Sequence, residues 1–298
     1  MSDKLILYPH QEEALPWMKQ IEKRGKGGFL ADSMGLGKTL TMSLHLASNK
    51  FDGLMDIIVS PCSLTSTWEF ELKRAYSHLF GTVPRIFIYR GPNRVTKLEN
   101  GEWDFVITTY STIATGELNY RKWGRVILDE SHNIKNGLAK KGAKCAIASF
   151  ELGKRSQKNW CISGTPFNNK MKDLASQCKF IGTEPYNKAE WWKENAAESE
   201  NMDKNVQLEK WRNDFMIRRT KEKLMAAPIY HDIVVDFTKT EQKLVNILRE
   251  KAAAQFKEWT VATGMEKISL QGAILGLVQR LRILSNSFYC GQEDVDTL

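Results

Sequence analysis

The 298 residues are 42% hydrophobic and 26% charged, ordinary globular proportions that exclude a low-complexity chain and suffice for one or two domains. With 43 Lys and Arg against 35 Asp and Glu the formal charge is +8, which suits an anionic partner and equally a solvated basic surface. Five scattered cysteines without a C-x-x-C pair argue against a zinc cluster or a disulfide framework, and no apolar run is long enough to span a membrane, so a soluble intracellular chain with no membrane partner is expected.

In chain order, Leu5 to Lys23 passes from an apolar patch into a helical pattern on which Leu15, Met18 and Ile21 share a face. Gln11 stands before that helix, where its amide is able to pair with a donor and an acceptor on an adenine edge or simply to face water. Phe29, Leu30 and Ala31 read as a buried strand, Gly35 and Gly37 as a tight turn, and Lys38-Thr39 as the start of a helix. Triphosphate oxygens need converging backbone N–H groups from a loop without side chains, together with the positive end of a helix. In that reading Lys38 serves the β/γ-phosphates and Thr39 a magnesium ion. Asp32 occupies the place of the first glycine in G-x-x-x-x-G-K-[ST], so this loop alone does not decide the matter.

Further strand patterns follow at Asp56–Ser60, Arg85–Tyr89 and Asp104–Thr109, with an amphipathic helix carrying Trp68, Leu72 and Tyr76 after the first. In RVILDESHNIKN the apolar run Val126 to Leu128 delivers Asp129 and Glu130 to the end of a buried strand, where α/β sheets place ligand groups. One carboxylate there suits a metal and the other an attacking water, whereas His132 alone reads as a capping or packing residue. Trp160 to Ile162 leads into Ser163-Gly164-Thr165-Pro166, a small turn at the same sheet edge able to sense phosphate. From about Gly182 the pattern becomes helical. Arg218, Arg219, Lys221 and Lys223 form a basic cluster, either phosphate-contacting or solvated, His231 to Phe237 is strand-like, and Thr240–Ala254 and Leu270–Leu284 read as long helices.

Together these pieces resemble the Snf-two (Swi/Snf-type) ATPases of helicase superfamily two. YPHQ at Tyr8 to Gln11 resembles the family's Q motif, and ADSMGLGKT at Ala31 to Thr39 is similar to its motif I, which normally carries aspartate at position 32. VSPCSLTSTWEFE, ITTYSTI, LDESHNIKN and ISGTPFNN resemble motifs Ia, Ib, II and III, with Ser131 in place of the usual alanine, and FMIRRTKEKL resembles the Arg-Arg-Thr-Lys segment. The flavour is closest to the subgroup of transcription-terminating and post-replication-repair translocases.

The resemblance implies an α/β, RecA-like P-loop lobe over residues 1–180, a mostly parallel sheet with helices on both faces. A mainly helical region over 181–298 would lead toward a second RecA-like lobe. Nothing after Leu284 resembles that lobe or its arginine finger, whose loss costs about 10³- to 10⁵-fold in related NTPases, so weak activity is expected unless the lobe is supplied in cis or in trans. The implied activity is an ATP- and Mg²⁺-dependent motor on the double-stranded DNA backbone that displaces or remodels nucleosomes, polymerase or other DNA-bound proteins, nuclear in a eukaryote. ATP would meet Gln11, Asp32, Met34, Gly35, Leu36, Gly37, Lys38 and Thr39, and magnesium Thr39 and Asp129. Lys38, Asp129 and Glu130 would be catalytic, and Ser163, Gly164 and Thr165 would couple the steps. Ser60, Pro61, Thr108, Thr109 and Tyr110 would touch the DNA backbone. An RNA helicase of the same superfamily and a nucleotide-binding module without turnover are the rival readings.

Overall fold

The computed structural model describes residues 5–25, 27–135, 137–138, 143–166, 173–195, 206–221 and 236–286. The chain forms two compact units, Met1–Ala227 and Pro228–Leu298.

The first unit is built on seven strands: β1 (Gly27–Leu30), β2 (Asp56–Ser60), β3 (Ile86–Ile88), β4 (Phe105–Thr109), β5 (Trp123–Asp129), β6 (Ser156–Ile162) and β7 (Met216–Ile217). They lie in the order β3-β4-β2-β5-β6-β1-β7 and every pairing is parallel. A parallel sheet needs cover on both faces, which is why β2 and β5 are apolar runs without alternation and are buried throughout. On one face Leu30, Ile58, Ile127 and Trp160 pack against α1 (Pro9–Arg24), α2 (Lys38–Ser48) and α3 (Thr65–Phe80) through Met18, Met42 and Trp68. The other face presents Phe29, Val59, Val126 and Leu128. It is covered from α6 (Lys144–Lys154) and α7 (Asp173–Ile181), the short α4 (Arg94–Asn100) and α5 (Tyr110–Ile113) lying between β3 and β5 in the chain.

The first unit runs past the boundary expected near residue 180. α8 (Ala189–Asn195) and α9 (Val206–Phe215) place Trp192 and Trp211 in the same core, Trp211 edge-on to Phe29 at 5.1 Å, and β7 then pairs with β1. Two buried tryptophans and a strand ladder make this stretch part of the sheet unit, although its exposed residues read as a helical excursion. The second unit contains α10 (Lys239–Val261) and α11 (Gly264–Asn286), longer than their apolar patterns suggest and joined by Leu244, Leu248, Leu277 and Leu284. Thr238 and Glu241 close a capping box at the start of α10. Lys223, Cys290 and most of the strand pattern at 231–237 lie outside the described residues.

A buried ionic cluster ties α1 to the N-terminal half of the strands. Arg125 on β5 is fully buried, its Nε and Nη2 donating to Glu22 at 2.6 and 2.8 Å, its Nη1 to Asp56 at 3.1 Å and its Nη2 also to the Asn49 carbonyl at 2.6 Å. Trp160 Nε1 donates to Glu22 at 2.8 Å. Burial by itself would raise the Glu22 carboxyl, but the hydrogen bonds from Arg125 and His45 hold it far below its usual range. Asp56, buried beside Arg125, is pushed up to about 6 by desolvation, against the pull of that guanidinium. The cluster fixes the C-terminal end of α1, and the other end of that helix reaches the site.

Candidate active site

The C-terminal ends of β1, β5 and β6 are adjacent, and the loops that leave them meet there. After β1 the chain turns on Gly35 (φ 84°) and Gly37 (φ 75°) before α2 begins at Lys38. The left-handed angle at Gly37 demands glycine, and a β-carbon there would also have to displace the Gln11 amide. The N-terminal turn of α2 opens on a cavity of about 920 Å³ walled by Tyr8, His10 and Gln11 from α1 and its approach, by Met34 to Leu40, by Thr67, Glu71 and Arg74 of α3, and by Asp129 and Glu130. Backbone amides, a helix N-terminus, a lysine, a threonine and two carboxylates thus share one space, which is the donor set that a polyphosphate with a divalent cation requires.

Lys38 Nζ donates to the Ser33 carbonyl at 3.3 Å. Its pKa is lowered, chiefly by burial and also by Lys221, against the pull of Glu130, Asp129 and Asp32. Asp129 is 5% exposed, and burial pushes its carboxyl up to about 6. Its Oδ2 accepts from Trp68 Nε1 at 2.7 Å, its Oδ1 from the Glu130 amide at 3.0 Å, and its carbonyl from the Tyr110 hydroxyl at 2.7 Å. Glu130 sits at φ 50°, a strained angle for a non-glycine residue that turns it away from the strand direction. Its Oε2 is 3.2 Å from His132 Nδ1, and the same nitrogen is 3.1 Å from Ser163 Oγ, which also accepts from the Thr165 amide at 3.2 Å. Gly164 packs against the glycine loop, where a β-carbon would meet Met34 Cγ at 3.0 Å and Lys38 Nζ at 3.5 Å. The loop after β6 is therefore in contact both with the glycine loop and, through His132, with Glu130.

Several expected residues are placed differently. Gln11 lines the cavity, but its Oε1 accepts from the Tyr8 amide at 3.0 Å and its Nε2 lies 3.5 Å from the Gly37 carbonyl, so its amide already braces the loop. Asp32 is 1% exposed, and its carboxylate accepts from the Arg219 amide at 2.9 Å, Nε at 2.9 Å and Nη2 at 2.6 Å. It clamps the loop from behind instead of facing a ligand. Ser60 and Thr108 do not reach the surface at all: both are buried inside their strands, which corrects their assignment as backbone contacts. Thr109 caps α5, accepting from the Thr112 amide at 3.3 Å, and Tyr110 points its hydroxyl inward to Asp129. Pro61 stays partly exposed.

The model of the SNF2-related domain matches residues 10–289. The chain belongs to that family. It is 28% identical to the "Probable global transactivator" of Orgyia pseudotsugata multicapsid polyhedrosis virus over 93% of this chain and 55% of that protein. It is 30% identical to "Transcription termination factor 2" of Drosophila melanogaster over 75% of this chain and 24% of the fly protein. Among solved structures, the SWI2/SNF2 ATPase core of Sulfolobus solfataricus in complex with dsDNA superposes with a TM-score of 0.61 at 26% identity, covering 95% of this chain and 59% of that one. This SNF2-related chain thus spans between 24% and 59% of the length of these relatives. No helix among its described residues is long and apolar enough to cross a membrane.

The positioning roles of Trp68, Tyr110, His132 and Arg219 are not legible in the sequence as chemistry. Each sits inside a stretch whose motif is visible, yet the partner in each hydrogen bond lies on another element. Only the spacing of His132, two residues after Glu130, hints at its role.

Proposed function

We propose that this chain is the ATP-binding and hydrolysing lobe of a double-stranded-DNA translocase that displaces or remodels DNA-bound proteins. The observation that carries the reading is the convergence of Lys38, Thr39, Asp129 and Glu130 on the one cavity into which α2 opens. Its outer wall, with Ile6, Tyr8, Leu64 and Arg74, offers apolar and aromatic surface for a base. The duplex-DNA part rests on the dsDNA complex of the Sulfolobus neighbour and on the net charge of +8.

The residues present fit magnesium: Thr39 and Asp129 supply hard oxygen donors of the kind that hold it with phosphate oxygens and water, and a cation beside Asp129 would favour the charged form that burial disfavours. When bound, the ion neutralises charge developing on the phosphates. Lys38 binds the β/γ-phosphates, and the amides of the glycine loop fix them in place. Glu130 accepts the proton of the attacking water, and His132, within 3.2 Å of its Oε2 and 3.1 Å of Ser163, orients that carboxylate and links it to the loop after β6.

The test is steady-state ATP hydrolysis with and without duplex DNA, single-stranded DNA or RNA, beside Glu130→Gln. Stimulation by duplex DNA that the substitution abolishes supports the reading. Preferential stimulation by RNA overturns the DNA assignment. ATP binding that Glu130→Gln leaves intact, with negligible turnover throughout, identifies a lobe that needs its partner, and no ATP binding at millimolar concentration refutes the proposal.

A further inference from the structure

The segment that closes the sheet runs alongside the phosphate loop residue by residue. Met216 and Ile217 pair with Phe29 and Leu30, the Ala31 amide donates to the Ile217 carbonyl at 2.8 Å, and the Ser33 amide donates to the Arg219 carbonyl at 2.9 Å. Arg219 then grips Asp32 with its amide and two guanidinium nitrogens, and its Nη1 reaches the His10 carbonyl. This fork, its carboxylate buried, fixes the backbone beside the loop, and two residues later Lys221 reaches back over it. A β-carbon built on Gly35 would lie 3.1 Å from Lys221 Nζ and 3.2 Å from its Cε, so the ammonium group lies against the side-chain-free apex of the cradle.

We propose that Lys221 is a second cation of the nucleotide site, contacting the β/γ end of a bound triphosphate from beside Gly35. The inference rests on the nucleotide-binding reading given above and adds to it a residue from the far end of the sheet unit. Two observations bear on it. The amino group approaches Gly35, which walls the cavity. Finally, the Asp32–Arg219 fork holds the backbone of this segment in place, so the approach of Lys221 is prepared by the fold and not by the side chain alone. The aspartate where other phosphate loops carry glycine thereby acquires a purpose: it anchors the strand that delivers a distant lysine.

The test is equilibrium binding of fluorescent ATP, ADP and AMP analogues by the whole chain, with Lys221→Ala and Lys221→Arg beside the unsubstituted protein. Lys221 is exposed, so neither change threatens the fold, and melting curves check this. Loss of one charge-assisted contact predicts about ten-fold weaker ATP binding for Lys221→Ala, a smaller loss for ADP, none for AMP, and recovery in Lys221→Arg. Equal ATP affinity in Lys221→Ala and the unsubstituted chain overturns this inference while leaving the nucleotide site standing. An equal loss for all three nucleotides also overturns it, because a phosphate contact must discriminate among them. Failure of the unsubstituted chain to bind ATP refutes the underlying reading and this one with it.

Discussion

Replacing Arg125 by methionine isolates what the buried cluster contributes. The substitution roughly preserves volume but leaves Glu22 and Asp56 facing each other without the guanidinium that binds both. Removing one partner of a buried ion pair costs about 3–5 kcal/mol, a large share of a total stability of roughly 5–15 kcal/mol. With a urea dependence of roughly 2–3 kcal/mol per molar for a unit of this size, the midpoint falls by about 1–2 M at pH 7, followed by tryptophan fluorescence. The pH dependence is the sharper readout. In the intact protein Glu22 lies below its unfolded-state value of 4.5, so its stabilisation is complete above that pH and is lost only as acid protonates the folded state. Asp56, held up at about 6, acts in the opposite sense: the folded state carries the extra proton, and stability declines as pH rises from about 4 to about 6. In Arg125→Met the guanidinium no longer opposes burial at either carboxyl, so both rise from their positions in the intact protein, and the deficit is largest at pH 7 and shrinks toward pH 4. Glu22→Gln and Asp56→Asn added to Arg125→Met remove the stranded charges and recover at least half of the loss. A midpoint within 0.3 M of the unsubstituted protein, judged against the same slope, or a deficit that does not change with pH, would refute the reasoning.

Two further outcomes follow from the site. Trp68→Phe removes the indole N–H that stabilises the charged form of Asp129, so that carboxyl rises beyond about 6; the magnesium needed for half-maximal ATP binding then increases several-fold at pH 7, the gap narrows at pH 8.5, and a deficit independent of pH would count against this. Arg219→Met strands the buried Asp32 carboxylate at a cost of about 3–5 kcal/mol, or roughly 6–20 °C in melting temperature, part of which Asp32→Asn restores; unchanged melting of the single variant would remove the clamp from the account.

What the sequence makes legible here is chemistry that needs neighbouring residues. A phosphate-loop pattern is contiguous by necessity, so Gly35, Gly37, Lys38 and Thr39 stand out as candidates, as do Asp129 and Glu130 at the end of an apolar strand, and all six line one cavity. The sheet is equally visible, because strands covered on both faces read as unbroken apolar runs. The extent of the first unit is not, since β7 has only two residues and its membership depends on pairing with β1, nearly two hundred residues earlier.

Positioning, by contrast, is decided by strand order, and strand order is what motifs leave out. β4 and β5 are separated in the sheet by β2, yet Tyr110, one residue past the end of β4, reaches the carbonyl of Asp129 at the end of β5. Trp68, on the helix after β2, holds the carboxylate of the same residue. Both belong to stretches that resemble nucleic-acid-facing motifs, and both turn inward. Ser60 and Thr108 do the same from within their strands, because a parallel sheet buries alternate residues on both faces up to its edge. The metal-binding carboxylate expected from the sequence is thus held from its carbonyl and from its side chain by the two segments that follow β4 and β2. Any displacement of those segments must either move Asp129 or break a 2.7 Å hydrogen bond to it, so the nucleotide site cannot be indifferent to what those segments touch.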